Sequence, residues 1–156
     1  MFRRSLLATL FSLVTLSSTA LFSATPPTIV NYQGVLRDAA DKPLNGTYDM
    51  LFRFLDAPTG GTEIMIDQHA AVTSNAITVS NGLFVTALGG GTITDGSGAG
   101  TYTSLADVFR DYTTIYLEVK VGAEILSPRT QIISAAYALN ATNAVNASSA
   151  GNASNL

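Results

Sequence analysis

Apolar and polar side chains alternate with a period of two over much of the chain, and helical spacing is scarce. Tyr48, Met50, Phe52 and Phe54 interleave with Asp49, Leu51, Arg53 and Leu55, which predicts one strand with an aromatic and apolar side. Ile115, Leu117, Val119 and Val121 interleave with Tyr116, Glu118 and Lys120 and predict a half-buried strand. Ala76–Ser80 and Leu83–Leu88 flank Asn81-Gly82. Asn-Gly fits the two positive-φ positions of a type I′ turn, so these segments predict a hairpin. Further strands are expected at Ile29–Leu36, Glu63–His69 and Thr130–Ile133.

The connections carry turn chemistry at Asp41–Gly46, at Ala57–Gly61 and at Gly122. Turn signals at this spacing predict a mainly β fold, an antiparallel β-sandwich over residues 28–133. Half of the residues of Gly89–Gly100 are glycine, and the span is expected to be a flexible loop. Ser104-Leu105-Ala106-Asp107 reads as a capping box opening one short helix to Arg110, with Leu105, Val108 and Phe109 toward the core.

Two appendages flank this domain. Met1-Phe2-Arg3-Arg4, the apolar Leu6–Leu16 and the small residues Ser17–Ala24 follow the order of a secretory signal peptide. Cleavage is expected after Ala20, giving a signal over residues 1–20, with Ser23 and Ala24 as later alternatives. The apolar run is shorter than the about 20 residues a membrane span needs, so no stable membrane insertion is expected once the signal is removed. No cysteine follows it to carry a lipid. Export places the protein in the medium or on the cell surface, where a domain without cysteine holds together without disulfides.

At the other end, residues 134–156 hold an Ala-x-Asn triplet. Ala138, Ala141, Ala144, Ala147, Ala150 and Ala153 recur every third position, and from Thr130 to Leu156 no side chain is charged. An α-helix advances about 100° per residue, so a three-residue step smears the alanines around its circumference. A threefold extended helix keeps them on one edge. The tail is therefore read as a disordered linker or an extended stalk in which three copies share an alanine-lined axis, a homotrimer through the repeat. The pattern is cut at Leu156, as expected where a longer fibre continues.

Charge and chemistry narrow the function. The whole chain has 8 Lys+Arg, 11 Asp+Glu and a formal net charge of −3. Loss of Arg3 and Arg4 with the signal leaves six basic groups and a net charge of −5. A mildly acidic surface without a basic stripe argues against nucleic acid as a partner. The single histidine, His69, has no recognisable nucleophile to serve and is expected to be a partly exposed strand residue. One histidine and no cysteine leave no zinc ligand set. Asp95-Gly96-Ser97-Gly98 lacks the later acidic ligands of a calcium loop. Most of the remaining carboxylates, among them Asp38, Asp41, Asp49, Asp56, Glu63, Asp67, Asp107, Asp111, Glu118 and Glu124, are expected to be solvated, on strand faces and in turns. No catalytic, cofactor or metal residue is assigned. Tyr32, Tyr102, Tyr112 and Tyr116 are either core-edge residues or a sugar-stacking platform. Asn45, Asn140, Asn146 and Asn152 begin glycosylation-type sequons, three of which arise from the repeat itself.

Several stretches resemble a module of secreted bacterial proteins. They are Asn31-Tyr32-Gln33-Gly34-Val35-Leu36-Arg37-Asp38, Pro43–Tyr48, Phe52–Ala57, Asn81-Gly82-Leu83-Phe84, Tyr116–Val119 and Leu126–Leu139. The likeness is to the N-terminal β-sandwich of surface proteins of the tail-fibre-domain type, in which Ala-rich triplets follow. It departs from that pattern at Ala136, where a proline commonly stands. The resemblance implies no catalytic residues. It implies a non-enzymatic structural or attachment module, with the tail as spacer or trimerisation stalk. The other expectation is a carbohydrate-binding or adhesive module contacting a surface glycan or protein.

Overall fold

The computed structural model describes residues 28–133. The expected signal peptide and the triplet tail lie outside the described residues. What is described is mainly β and antiparallel, with one α-helix, as the alternation predicts. The strands are β1 (Val30–Val35), β2 (Gly46–Tyr48), β3 (Met50–Leu55), β4 (Glu63–His69), β5 (Ile77–Val79), β6 (Leu83–Leu88), β7 (Thr92–Asp95), β8 (Ile115–Val121), β9 (Glu124–Ile125) and β10 (Thr130–Ile132). A 3-10 turn at Ala71–Thr73 follows β4, and α1 (Leu105–Asp111) precedes β8.

One sheet runs β10-β8-β3-β4-β7, with β9 also on β8. Facing it are two short ladders, β1-β6 and β2-β5. In the larger sheet the register sets Phe52 opposite Val119 on β8 and Asp67 on β4, and Phe54 opposite Leu117 and Met65. Opposed residues share a face, so this register gathers one apolar side. Met50, Phe52, Phe54 and Met65 are fully buried there. Each contributes about 1.5–3 kcal/mol by leaving water. The Tyr32 ring of β1 stands edge-on to Phe52 with centroids 5.7 Å apart, and Phe84 of β6 completes the contact between layers.

The predicted strand through Tyr48–Leu55 is two strands in different sheets. The chain steps across at Asp49, whose carbonyl accepts from the Gly122 N–H at 3.0 Å and whose Oδ1 accepts from the Ala71 N–H at 2.8 Å. Those bonds take the backbone out of both ladders, which periodicity alone cannot show.

The Asn-Gly turn forms with φ of 51° at Asn81 and 81° at Gly82. Its arms part at once: only Ser80 and Leu83 bridge, then β5 joins β2 and β6 joins β1. Contacts from elsewhere hold the turn instead. The Gly82 carbonyl accepts from the Leu36 N–H at 2.7 Å, and the Gly82 N–H donates to the Leu44 carbonyl at 2.8 Å. Leu44 N–H in turn donates to the Leu36 carbonyl at 3.1 Å, and Asn45 Oδ1 accepts from the Asn81 N–H at 2.8 Å.

Gly89–Gly100 is not a continuous loop, because β7 lies inside it and pairs with β4. Gly91 and Gly96 flank β7, and a Cβ at either would collide with the β4 backbone. These glycines permit close approach rather than freedom. The helix begins as expected, with Ser104 Oγ accepting from the Asp107 N–H at 3.3 Å. Leu105 and Val108 are buried, but Phe109 is 39% exposed and does not face the core. The inner face of this two-turn helix buries only two of the three.

Gly82→Ala forces a side chain into a left-handed backbone and brings its Cβ to 2.9 Å from the Leu36 carbonyl oxygen. A loss of about 2 kcal/mol or more is expected in denaturant unfolding. Gly60→Ala, at φ 59° in open space, should cost about 1 kcal/mol.

Candidate functional site

The polar side chains concentrate in two places. The first is between the layers. Period two on β4 sends both Asp67 and His69 to the core side, where they are 0% and 3% exposed. Asp67 accepts from the Gly89 N–H at 2.6 Å and from the Gly91 N–H at 2.9 Å. Its Oδ2 also lies 3.1 Å from His69 Nε2, and His69 Nδ1 is 3.5 Å from Thr86 Oγ1. The imidazole meets the Phe52 ring edge-on at 5.5 Å. His69 is thus not the partly exposed strand residue expected. Its position is dictated by parity with Asp67, whose buried oxygens need every donor within reach. Carboxylate, imidazole and hydroxyl stand in the order that nucleophilic catalysis uses. However, the ring is only 3% exposed, and Asp67 is occupied holding the β6–β7 connection.

The second concentration is on the outward side of β3 and β8, where Arg53 and Glu118 are register partners. Arg53 NH1 lies 2.5 Å from Glu118 Oε1, and Arg53 Nε donates to Glu63. Arg129 Nε donates to Glu118 Oε2 at 2.9 Å, and Arg129 NH1 donates to the carbonyls of Ala57 at 2.9 Å and Gly60 at 2.7 Å. Burial alone pushes the Glu118 carboxyl up. The Arg129 hydrogen bond and the charges of Arg53 and Arg129 outweigh it and hold the group below its ordinary value. Arg53 is held above its ordinary value, chiefly by the hydrogen bond to Glu63. A shallow cleft of about 290 Å³ opens over this chain of charges between Pro58–Gly60 and Ile125–Pro128. Glu118 and Arg129 line it and are paired with each other, beside the apolar Pro58, Ile125, Leu126 and Pro128 and the hydroxyls of Thr59 and Ser127.

The other candidates scatter. Asp38 Oδ1 accepts from the N–H groups of Ala40 and Lys42, Asp56 accepts from Thr62, and Asp95 from Tyr102. Asp107 and Asp111 flank Arg110 and are held below the usual carboxylate range by hydrogen bonds, Asp107 from Ser104 first and Asp111 from Arg110. These are the turns and caps expected of them. Among the described residues no three His, Asp or Glu side chains form a metal-binding group. Tyr32 lies inside the sandwich, Tyr102 is buried against Tyr112 at 5.6 Å, and Tyr116 is on the outward side of β8. The four tyrosines share no platform. Asn140, Asn146 and Asn152 lie outside the described residues.

The stretches that carry the family resemblance meet at two points. Leu36, Leu44-Asn45 and Asn81-Gly82 converge in the turn described above, and Arg53, Ala57, Glu118 and Arg129 converge in the ionic chain. The family model described as a domain of unknown function (DUF8740) matches residues 31–129, which encloses both, and the chain belongs to that family. No curated protein and no solved structure matches the chain. Among the described residues no helix is long and apolar enough to cross a membrane.

The outward positions of β1 and β6 are Asn31, Gln33, Val35, Leu83, Val85 and Ala87, all uncharged. Val35, Leu83 and Val85 are 55%, 61% and 62% exposed. The alternation that predicted the strands also held this signal, in the apolar residues left over on the polar side.

Arg129→Ala leaves Glu118 buried with one partner and frees the Ala57–Gly61 turn, and should cost about 3 kcal/mol at neutral pH. Since the folded carboxyl is lowered, its contribution is complete above the ordinary value of 4.5 and is lost as pH falls through the folded value. The variant's acid-unfolding midpoint is therefore expected at higher pH than the parent's, read by circular dichroism. Asp67→Ala strands two amides and the imidazole, with an expected loss of about 3 kcal/mol and faster hydrogen exchange at Gly89 and Gly91.

Proposed function

We propose that this protein is an exported, non-catalytic structural or attachment module of a cell-surface or fibre-like assembly. In this reading the sandwich serves as head or base, and the Ala-x-Asn tail as spacer or trimerisation stalk. The observation that carries it is the engagement of Arg53, Glu118 and Arg129 with one another and with the Ala57–Gly60 carbonyls. The strongest charges of the domain fix a loop to a sheet and leave no unspent acid or base facing the cleft. Secretion rests on the Arg3-Arg4, Leu6–Leu16 and Ser18-Thr19-Ala20 pattern, and the fibre context on the likeness to surface modules followed by Ala-rich triplets. A glycan-binding reading draws less support, since the tyrosines it needs face three different ways.

Expression of the full chain in a Gram-negative host, followed by N-terminal sequencing, should give a mature chain beginning at Leu21. That chain should be outside the cytoplasm and inert toward a panel of glycosidase and esterase substrates. An intact Met1 in the cytoplasm, or turnover abolished by Glu118→Gln, would overturn the proposal.

A further inference from the structure

We propose that residues 134–139 of this chain fold back on the end of the sandwich that carries α1, seating Tyr137 and Leu139 over Phe109. The strand registers bring both flanks of the domain to that end. β10 closes with Ile132 opposite Ile115, the first residue of β8. One further antiparallel step brings the chain level with Thr114, three residues after α1 ends at Asp111. At the other flank, Thr28 and Leu105 both crowd Gly89. A Cβ there would lie 3.0 Å from the Thr28 carbonyl oxygen and 3.1 Å from Leu105 Cδ1. β1 therefore starts against the first turn of α1, and β10 ends beside its last.

Apolar side chains at this end are left partly uncovered. Phe109 is 39% exposed, Ile29 48%, Val30 41% and Ile133 80%. Phe109 follows the buried Leu105 by four residues, one helical turn along the same side. It thus stands between the flank that enters β1 and the flank that leaves β10. The charges of α1 are spent on one another, since Arg110 donates to Asp107 at 2.7 Å and to Asp111 at 2.8 Å.

Continuity selects the occupant. The chain runs straight on from Ile133 into this segment, and six residues reach up to about 20 Å, enough to pass the last turn of α1. The segment carries no charge, and Tyr137 and Leu139 are its large apolar side chains. After Leu139 the tail holds Asn, Ala, Thr, Ser and Gly, with Val145 and Leu156 as the exceptions. A second copy would have to bring an apolar group from solution and lose its freedom of movement on binding. This segment is already tethered at the edge of the patch, so its contact is intramolecular. An aromatic ring against Phe109 also gains an edge-on or offset pair. The folded unit then ends at Leu139, and the rest of the Ala-x-Asn repeat departs from the α1 end. Neither export nor the tail acting as a stalk is needed for this contact.

The sequence contains no tryptophan, so Tyr137→Trp gives the mature full-length chain a single fluorescent reporter. Its emission should be blue-shifted and quenched by acrylamide several-fold less than in denaturant, at every protein concentration. Adding Phe109→Ser should return the emission to that of a solvated indole while circular dichroism stays that of the folded sandwich. Adding Leu139→Asp instead, a change within the segment itself, should do the same. Solvent-like emission from Tyr137→Trp alone overturns the inference. Shielded emission that neither second substitution alters also overturns it, because the segment then seats elsewhere. Shielding that develops only as concentration rises assigns the patch to another copy, which sinks the inference and leaves the stalk reading intact.

Discussion

Two layers of sheet must bury one apolar side of β3, β4 and β8, and the placement of nearly every polar group follows from that demand. Phe52 sits at the centre, with Tyr32 from the facing layer edge-on to it and His69 edge-on from its own sheet. Since successive strand residues point to opposite sides, burying Met65 commits Asp67 and His69 to the interior. The cost of interring a carboxylate is offset by two backbone amides and an imidazole, and those amides belong to the glycine run leading into β7. A requirement for apolar packing thus sets the course of a polar loop.

On the other side of the same sheet the rule works in reverse. Arg53 and Glu118 are register neighbours because Phe52 and Val119 are. Their pairing draws in Arg129 from a segment far along the chain, and through it the Ala57–Gly60 carbonyls. A carboxylate with two guanidinium partners resists both water and protons. That makes it a strong fastener between the sheet and the Ala57–Gly60 loop beside the cleft. Equivalent logic joins Leu36, Leu44 and Gly82, where three backbone segments share one set of hydrogen bonds and side chains hardly matter.

Much of this was legible in the order of residues. β4, β8 and the start of α1 fall where period and capping place them, and the two positive-φ residues of the Asn-Gly turn were readable from type alone. What stayed hidden depends on partners distant in sequence. Asp49 breaks a perfect alternation because Gly122 and Ala71 bind it. Gly89–Gly100 looked loose because glycine serves equally for freedom and for close approach, and only the β4 backbone beside Gly91 and Gly96 distinguishes the two. His69 was misjudged for a related reason: parity with Met65 was visible, but a buried carboxylate two residues earlier made the inward choice tolerable. The uncharged outward side of β1 and β6 was open to inspection throughout, as leftover apolar positions on a polar face.

The last strand is held by little: β10 meets β8 at three positions, and the chain continues from it toward the triplet tail. Tension applied along that tail therefore arrives first at a short seam of the larger sheet, three residue pairs long. Immediately behind it Arg129 grips Glu118 and two loop carbonyls, so a pull that frees β10 next meets a much stiffer anchor. The domain is graded like a fuse ahead of a bolt, yielding a few residues of slack before the core feels the load.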